Sequence, residues 1–108
     1  MYHGTIVENS LADKNILKDL EIIKSYWLED WLLHDVLVNE EQIEKLGKFL
    51  SDGPWYMHFW QDNQEDIIVV FKDESFRIKH SDKNTWIEAI EHGKSLGIPE
   101  EQLDFLIQ

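Results

Sequence analysis

The sequence predicts an α+β fold: a mixed, mainly antiparallel sheet of five to six strands, with two amphipathic helices packed on one of its faces. Three observations predict it. Short β-rich runs recur along the chain with turn residues between them. Two segments, one beginning at Asn39 and one at Ser81 or Asp82, repeat apolar residues at helical spacing. A content of 43% apolar and 12% aromatic residues is enough for one packed interior without disulfides or metals. The 108 residues match the size of one domain, so positions 1–108 are read as a single unit.

Each element follows from local chemistry. Thr5 to Glu8 reads as a short strand, and Ser10 with Asp13 as a capping-box start to a helical turn or two through Leu17. Leu20 to Leu28 and Trp31 to Val38 are β-rich runs separated by Glu29-Asp30, the pattern of a hairpin. Alternation sends Leu32, His34, Val36 and Val38 one way and Trp31, Leu33, Asp35 and Leu37 the other, so the second strand is interior. In the first helix Asn39 is the N-cap, Glu40 and Glu41 sit in the positively polarised first turn, and Gln42 completes a capping box. Val38 and Ile43 form the matching staple, and Ile43, Leu46 and Leu50 line the buried face until Ser51-Asp52-Gly53-Pro54 ends the run.

Trp55 to Gln61, Ile67 to Lys72 and Phe76 to His80 then read as a meander, with turns at Asp62 to Asp66 and at Asp73-Glu74. The second helix carries Trp86, Ala89, Ile90, Gly93 and Leu96 on one face. It is closed by Gly97 as C-cap, Ile98 as the contact after it, and Pro99. Glu100 and Glu101 open a last short turn, and Leu103, Phe105 and Leu106 tie down the tail. The strands before and after the first helix are joined by a helical crossover, which predicts a right-handed parallel connection between them.

Composition narrows function. With no cysteine, disulfide scaffolds, thiolate zinc sites and thiol nucleophiles are excluded, and a reducing, cytoplasmic setting is expected. Met1-Tyr2-His3-Gly4 does not read as a signal peptide, and the longest apolar run, Ile67 to Phe71, falls far short of the roughly 20 residues of a membrane helix. No membrane partner is expected. A net charge of −12 repels phosphate backbones, so nucleic acid is not expected either. The same charge admits an acidic inhibitor of a basic protein, set against a surface merely kept soluble by scattered carboxylates.

Several strings carry a resemblance: Gly4-Thr5-Ile6, Trp31 and His34, Gly53-Pro54-Trp55-Tyr56, Val69-Val70-Phe71-Lys72 and Gly97 through Phe105. Over nearly its full length the chain resembles a family of small uncharacterised prokaryotic proteins. The resemblance implies no reaction, ligand or catalytic residue.

Motif matches weaken on inspection. Gly93-Lys94-Ser95-Leu96-Gly97 spells the G-x-S-x-G of a nucleophile elbow, but an elbow needs a strand feeding a sharp turn, whereas Ser95 falls in the last turn of a helix. Gly93-Lys94-Ser95 also ends like a P-loop, but the loop's first glycine would fall at Glu88. The five histidines, His3, His34, His58, His80 and His92, form no H-x-x-x-H pair, and no catalytic residue, metal ligand or cofactor is expected. His34 and His58 fall in nearby strands on this topology, where they can converge with Asp35 or Tyr56.

The strongest functional signal is aromatic. Tyr26, Trp27, Trp31, Trp55, Tyr56, Phe59 and Trp60 fall in three strands and use both sheet faces. If both helices cover one side, rings stay bare on the other, where an apolar patch marks a contact. Trp31, His34, Tyr56, His58 and Trp60 are the residues expected to bind a ligand or partner. The first reading is a non-catalytic interaction domain, self-associating as a homodimer or taking a protein partner. The alternative is a small ligand-binding protein or enzyme with a pocket of His34, Tyr56, His58 and Trp60. Against both stands the expectation that the chain's own ends fold over that face and make the rings core.

Overall fold

The computed structural model describes residues 1–105, and Leu106 of the expected tail contact lies outside them. The strands are β1 (Tyr2–Val7), β2 (Glu21–Leu28), β3 (Trp31–Val38), β4 (Met57–Gln61), β5 (Asp66–Val70) and β6 (Ser75–Lys79); the α-helices are α1 (Glu40–Leu46) and α2 (Ile87–Ser95). They form the expected α+β architecture, with one six-stranded sheet ordered β2-β3-β1-β4-β5-β6.

The sheet is antiparallel throughout rather than mixed. β3 and β4 do run parallel, as their helical crossover requires, but β1 lies between them and pairs antiparallel with both. Alternate burial along Tyr2–Val7 shows why β1 starts earlier than Thr5: Tyr2, Gly4 and Ile6 all point into the interior. Gly4 also makes room, since a Cβ there would lie 2.2 Å from a ring carbon of Phe59 on the neighbouring strand.

The helices pack on opposite faces, not on one. Ile43, Leu46 and Leu50, from α1 and the turn after it, meet Ile6, Val36, Val38, Phe59, Ile68 and Val70 on the first face. Trp86 and Ala89 of the second helical segment meet Trp60, Ile67, Val69 and Ile78 on the second, joined by Ile98, Leu103 and Phe105 of the tail. The physical reason lies in β5. Ile67 to Val70 are all buried, so successive residues present apolar groups to both sides and each side needs a cover.

Local signals at the helix ends hold. Asn39 accepts from the Gln42 amide at 2.8 Å while the Gln42 side chain accepts from the Asn39 amide at 2.9 Å, completing the capping box. Gly97 takes φ +89°, and Ile98 N–H reaches back to Gly93 O at 3.1 Å. Ser95 lies in the last turn of α2 and donates to His92 O at 2.6 Å, so the elbow match is a helix end.

The helical segment expected from Ser10 is different. Short 3-10 turns occupy Glu8–Ser10 and Lys14–Asp19, and Asp13, not Ser10, caps the second by accepting from the Asn15 amide. Ser10 is buried instead, with its hydroxyl on Val7 O and its carbonyl accepting from Ser51 N–H. Beside it Leu11 makes an isolated antiparallel bridge with Leu50, and Ile16, Leu17 and Leu20 pack on the first core.

Candidate functional site

The five residues singled out from sequence divide between the two faces. In register, His34 pairs with Ile6, and His3 pairs with Trp60. Cross-strand partners share a face, so His34 lies on the α1 side, whereas Tyr56, His58 and Trp60 lie on the α2 side. A single pocket of His34, Tyr56, His58 and Trp60 is therefore not assembled.

The β4 rings belong mostly to the second core. Trp60 is buried, and His58 sits between Tyr56 and Trp60, with ring centroids 6.2 Å and 5.5 Å away. Phe105 of the tail closes over them, edge-on to Tyr56 at 5.6 Å and 5.9 Å from His58. The Tyr56 hydroxyl donates to Gln102 O at 2.5 Å. Burial, reinforced by the Asp104 carboxylate, pushes this phenol up to about 12. The chain's own end thus covers these rings, as the competing sequence expectation allowed.

His34 is held in a chain of contacts that sequence reading did not anticipate. Its Nδ1 lies 2.7 Å from Ser25 Oγ and its Nε2 3.1 Å from Glu8 Oε1. Serine, histidine and a carboxylate in series also serve nucleophilic catalysis. Here the contacts tie together β2, β3 and the turn after β1, and they satisfy a buried imidazole. Glu8 stands 26 positions from His34, so only the β1–β3 pairing could have revealed the contact.

The remaining histidines also have close neighbours. His3 stacks on Trp60 and lies 2.5 Å from Asp62 Oδ1; His92 lies edge-on to Phe71 and 3.0 Å from Asp73 Oδ1; His80 lies near Trp86. Among the described residues, no three His, Asp or Glu side chains are grouped to hold a metal ion.

Trp31 is the singled-out residue that stays open, and it has company. The large apolar side chains left exposed fall chiefly on the β2–β3 hairpin: Trp27 at 68%, Ile23 at 58%, Leu28 at 57%, Trp31 at 43% and Ile22 at 37%. They occupy both faces of the hairpin, because Trp27 pairs with Leu32 on the α1 side and Leu28 with Trp31 on the other. No residue of β2 or β3 belongs to the second core, so the α2 layer stops short of them. Beside the hairpin, Trp31 and Trp55 (centroids 5.6 Å apart) border a groove of about 410 Å³ that also includes Thr5, Tyr56 and His58.

The sheet's two edges differ as well. β6 is five residues long and carries Arg77 and Lys79, ion-paired to Glu40 and Asp66. Its end is closed by the next turn: Lys79 N–H donates to Thr85 Oγ1, and Trp86 Nε1 donates to Lys79 O. β2 is eight residues long, exposed at every position but Tyr26, and has Lys24 as its one cation. Its irregularity is a register shift between Ile22 and Lys24. An edge strand of this kind offers a row of backbone donors and acceptors to another chain.

Compared with known proteins, the chain matches no family model, no curated protein and no solved structure. No helix of the described residues is long and apolar enough to cross a membrane.

Proposed function

We propose that this protein is a non-catalytic interaction domain whose contact surface is the β2–β3 hairpin. One observation carries the reading: exposed tryptophan, leucine and isoleucine gather on the unguarded edge of a sheet whose other edge is guarded. Exposed aromatic and aliphatic side chains stay in water at a cost of about 25 cal/mol per Å² of apolar surface. A partner strand laid along β2 recovers that cost and pairs the free backbone groups, the mode known as β-augmentation. Trp27 and Trp31 are suited to anchor such a contact, each a large ring with one polar N–H. The cysteine-free composition fits work in a reducing cytoplasm.

Sedimentation equilibrium tests the reading. The mass of the wild-type chain is expected to rise above 12.9 kDa with concentration, and the Trp27→Thr/Leu28→Thr variant is expected to stay at the monomer value. A monomer at millimolar concentration for both chains contradicts self-association through the hairpin.

A second reading is favoured by the groove, where Trp31, Tyr56 and His58 of the anticipated set do share one wall. Its volume falls in the range of small-molecule sites, which supports a flat, apolar ligand held between rings. Titration with indole, followed through the Trp31 ring N–H resonance, tests it. Saturable shifts confined to the groove support the reading, and unchanged spectra contradict it.

A further inference from the structure

We infer that the occupant of the β2 edge is a second copy of this chain, paired antiparallel over Lys24–Leu28 about a two-fold axis at Tyr26; the inference rests on the interaction reading above.

The straight part of β2 fixes the length of the contact. The register shift at Ile22/Lys24 ends regular pairing on one side and the Glu29-Asp30 turn ends it on the other, with Glu29 in the left-handed region at φ +56°. Five residues remain, and Tyr26 is their centre. Antiparallel pairing of this segment with itself places Tyr26 opposite Tyr26, Ser25 opposite Trp27, and Lys24 opposite Leu28.

Charge favours this register. Lys24, Glu29 and Asp30 are all exposed, and none of them has an ion pair among the described residues; the Lys24 ammonium rests 5.1 Å above its own Tyr26 ring. With Lys24 opposite Leu28 of the second copy, a long side chain reaches that copy's Glu29 and Asp30, one and two positions further on. The two-fold axis makes the contact twice. Sliding the pairing by two positions toward the bulge sets Lys24 opposite Tyr26 and draws it away from the acidic turn. Sliding it the other way sets Ser25 opposite Glu29 and Lys24 opposite Asp30, so the pairing runs into the turn, where Glu29 at φ +56° has left the extended conformation that a ladder needs.

The same register buries side chains on both faces. Trp27 of each copy lies across from Ser25, over the Ser25–His34 contact on the α1 side. Tyr26 meets Tyr26 and Leu28 meets the Lys24 stem on the other. The product is a continuous twelve-stranded antiparallel sheet whose outer edges are the two guarded β6 strands.

The sign of the salt effect separates this occupant from a cationic partner. Two chains of net charge −12 repel, and salt screens that repulsion down to a Debye length of about 8 Å at physiological ionic strength, so raising salt from low values is expected to tighten self-association. A basic partner held by the same surface is released by salt.

Charge reversal across the axis is the test. In the Lys24→Glu chain the acidic turn faces an anion, and in the Glu29→Lys/Asp30→Lys chain a cationic turn faces Lys24; each homodimer is expected to weaken at least about tenfold. An equimolar mixture restores attraction at both contacts, so heterodimers are expected at wild-type concentrations, read by native mass spectrometry with one chain isotope-labelled. Circular dichroism and thermal melting of each variant establish that it is folded. Self-association that Trp27→Thr/Leu28→Thr abolishes but both charge reversals leave unchanged overturns the register and spares the hairpin surface. A wild-type chain that stays monomeric at every concentration and salt overturns the second copy as occupant and spares the hairpin as a surface for another chain.

Discussion

The β4–β6 half of the sheet and the β2–β3 half have similar sequence character and opposite fates. Both are rich in β-branched and aromatic residues, yet Ile67 to Phe71 are buried on every side while five large apolar residues of the hairpin stay exposed. The difference comes from what the chain does next. After β6 it turns back through Trp86 and α2 and lays its tail over Tyr56 and His58, whereas after β3 it crosses the first face through α1 and leaves the outer part of the hairpin's second face, Leu28 and Trp31, exposed. One half spends its apolar surface on the fold, and the other leaves it exposed.

If that contrast is sound, the largest loss of stability comes from uncovering the buried half. Phe105 is fully buried against Tyr56, His58 and Trp86. Phe105→Ala is expected to cost about 3–5 kcal/mol in urea denaturation. It should also bring the Tyr56 titration down toward the ordinary phenol value near 10, read by ultraviolet absorbance. A loss below about 1 kcal/mol would mean that the tail is not part of the core.

Alkaline pH probes the same cover more gently. Tyr56 titrates near 12 in the fold against 10 when unfolded, so folding favours its neutral form. Its contribution is complete below pH 10 and is lost as pH rises through about 12; two pH units correspond to roughly 3 kcal/mol. Tyr2 and Tyr26 are also raised by burial and by Glu40 and Asp35, respectively, so they add to the decline in the same direction. Tyr56→Phe is expected to remove the greater part of it, as measured by thermal melting between pH 9 and 12.

The hairpin should behave oppositely. Trp27 is 68% exposed, and Trp27→Thr keeps strand propensity, so stability of the isolated chain is expected to change by no more than about 0.5 kcal/mol. In dilute solution the variant and the wild type should melt together. A large destabilisation there would make the hairpin part of the fold's own interior.

Local chemistry made much of this architecture legible. The Asn39/Gln42 capping box, the Gly97 C-cap and the Glu29-Asp30 turn all follow from the residues that form them, because each depends on neighbours in sequence. The long-range features were not legible. Nothing near β1 announces that it will slip between β3 and β4, and that insertion is what turns an expected mixed sheet into an antiparallel one. The opposed helices follow from Ile67-Ile68-Val69-Val70, a continuous apolar run that demands cover on both faces; the run is legible in sequence, but which segment covers which face depends on long-range packing. For the candidate site, aromatic richness pointed both to strands that bury their rings and to strands that expose them. Trp31 stays open, Trp60 is buried and Tyr56 is half-buried beside the groove, while Trp27, Ile23 and Leu28 are set apart only by strand order, which places β2 at the edge.

Amide hydrogen exchange compared between the two edge strands at micromolar and millimolar protein tests the central claim most directly. The account predicts that β2 amides between Lys24 and Leu28 become protected as concentration rises while those of β6 exchange at an unchanged rate. Equal exchange from β2 at both concentrations, or new protection appearing on β6 instead, would contradict it.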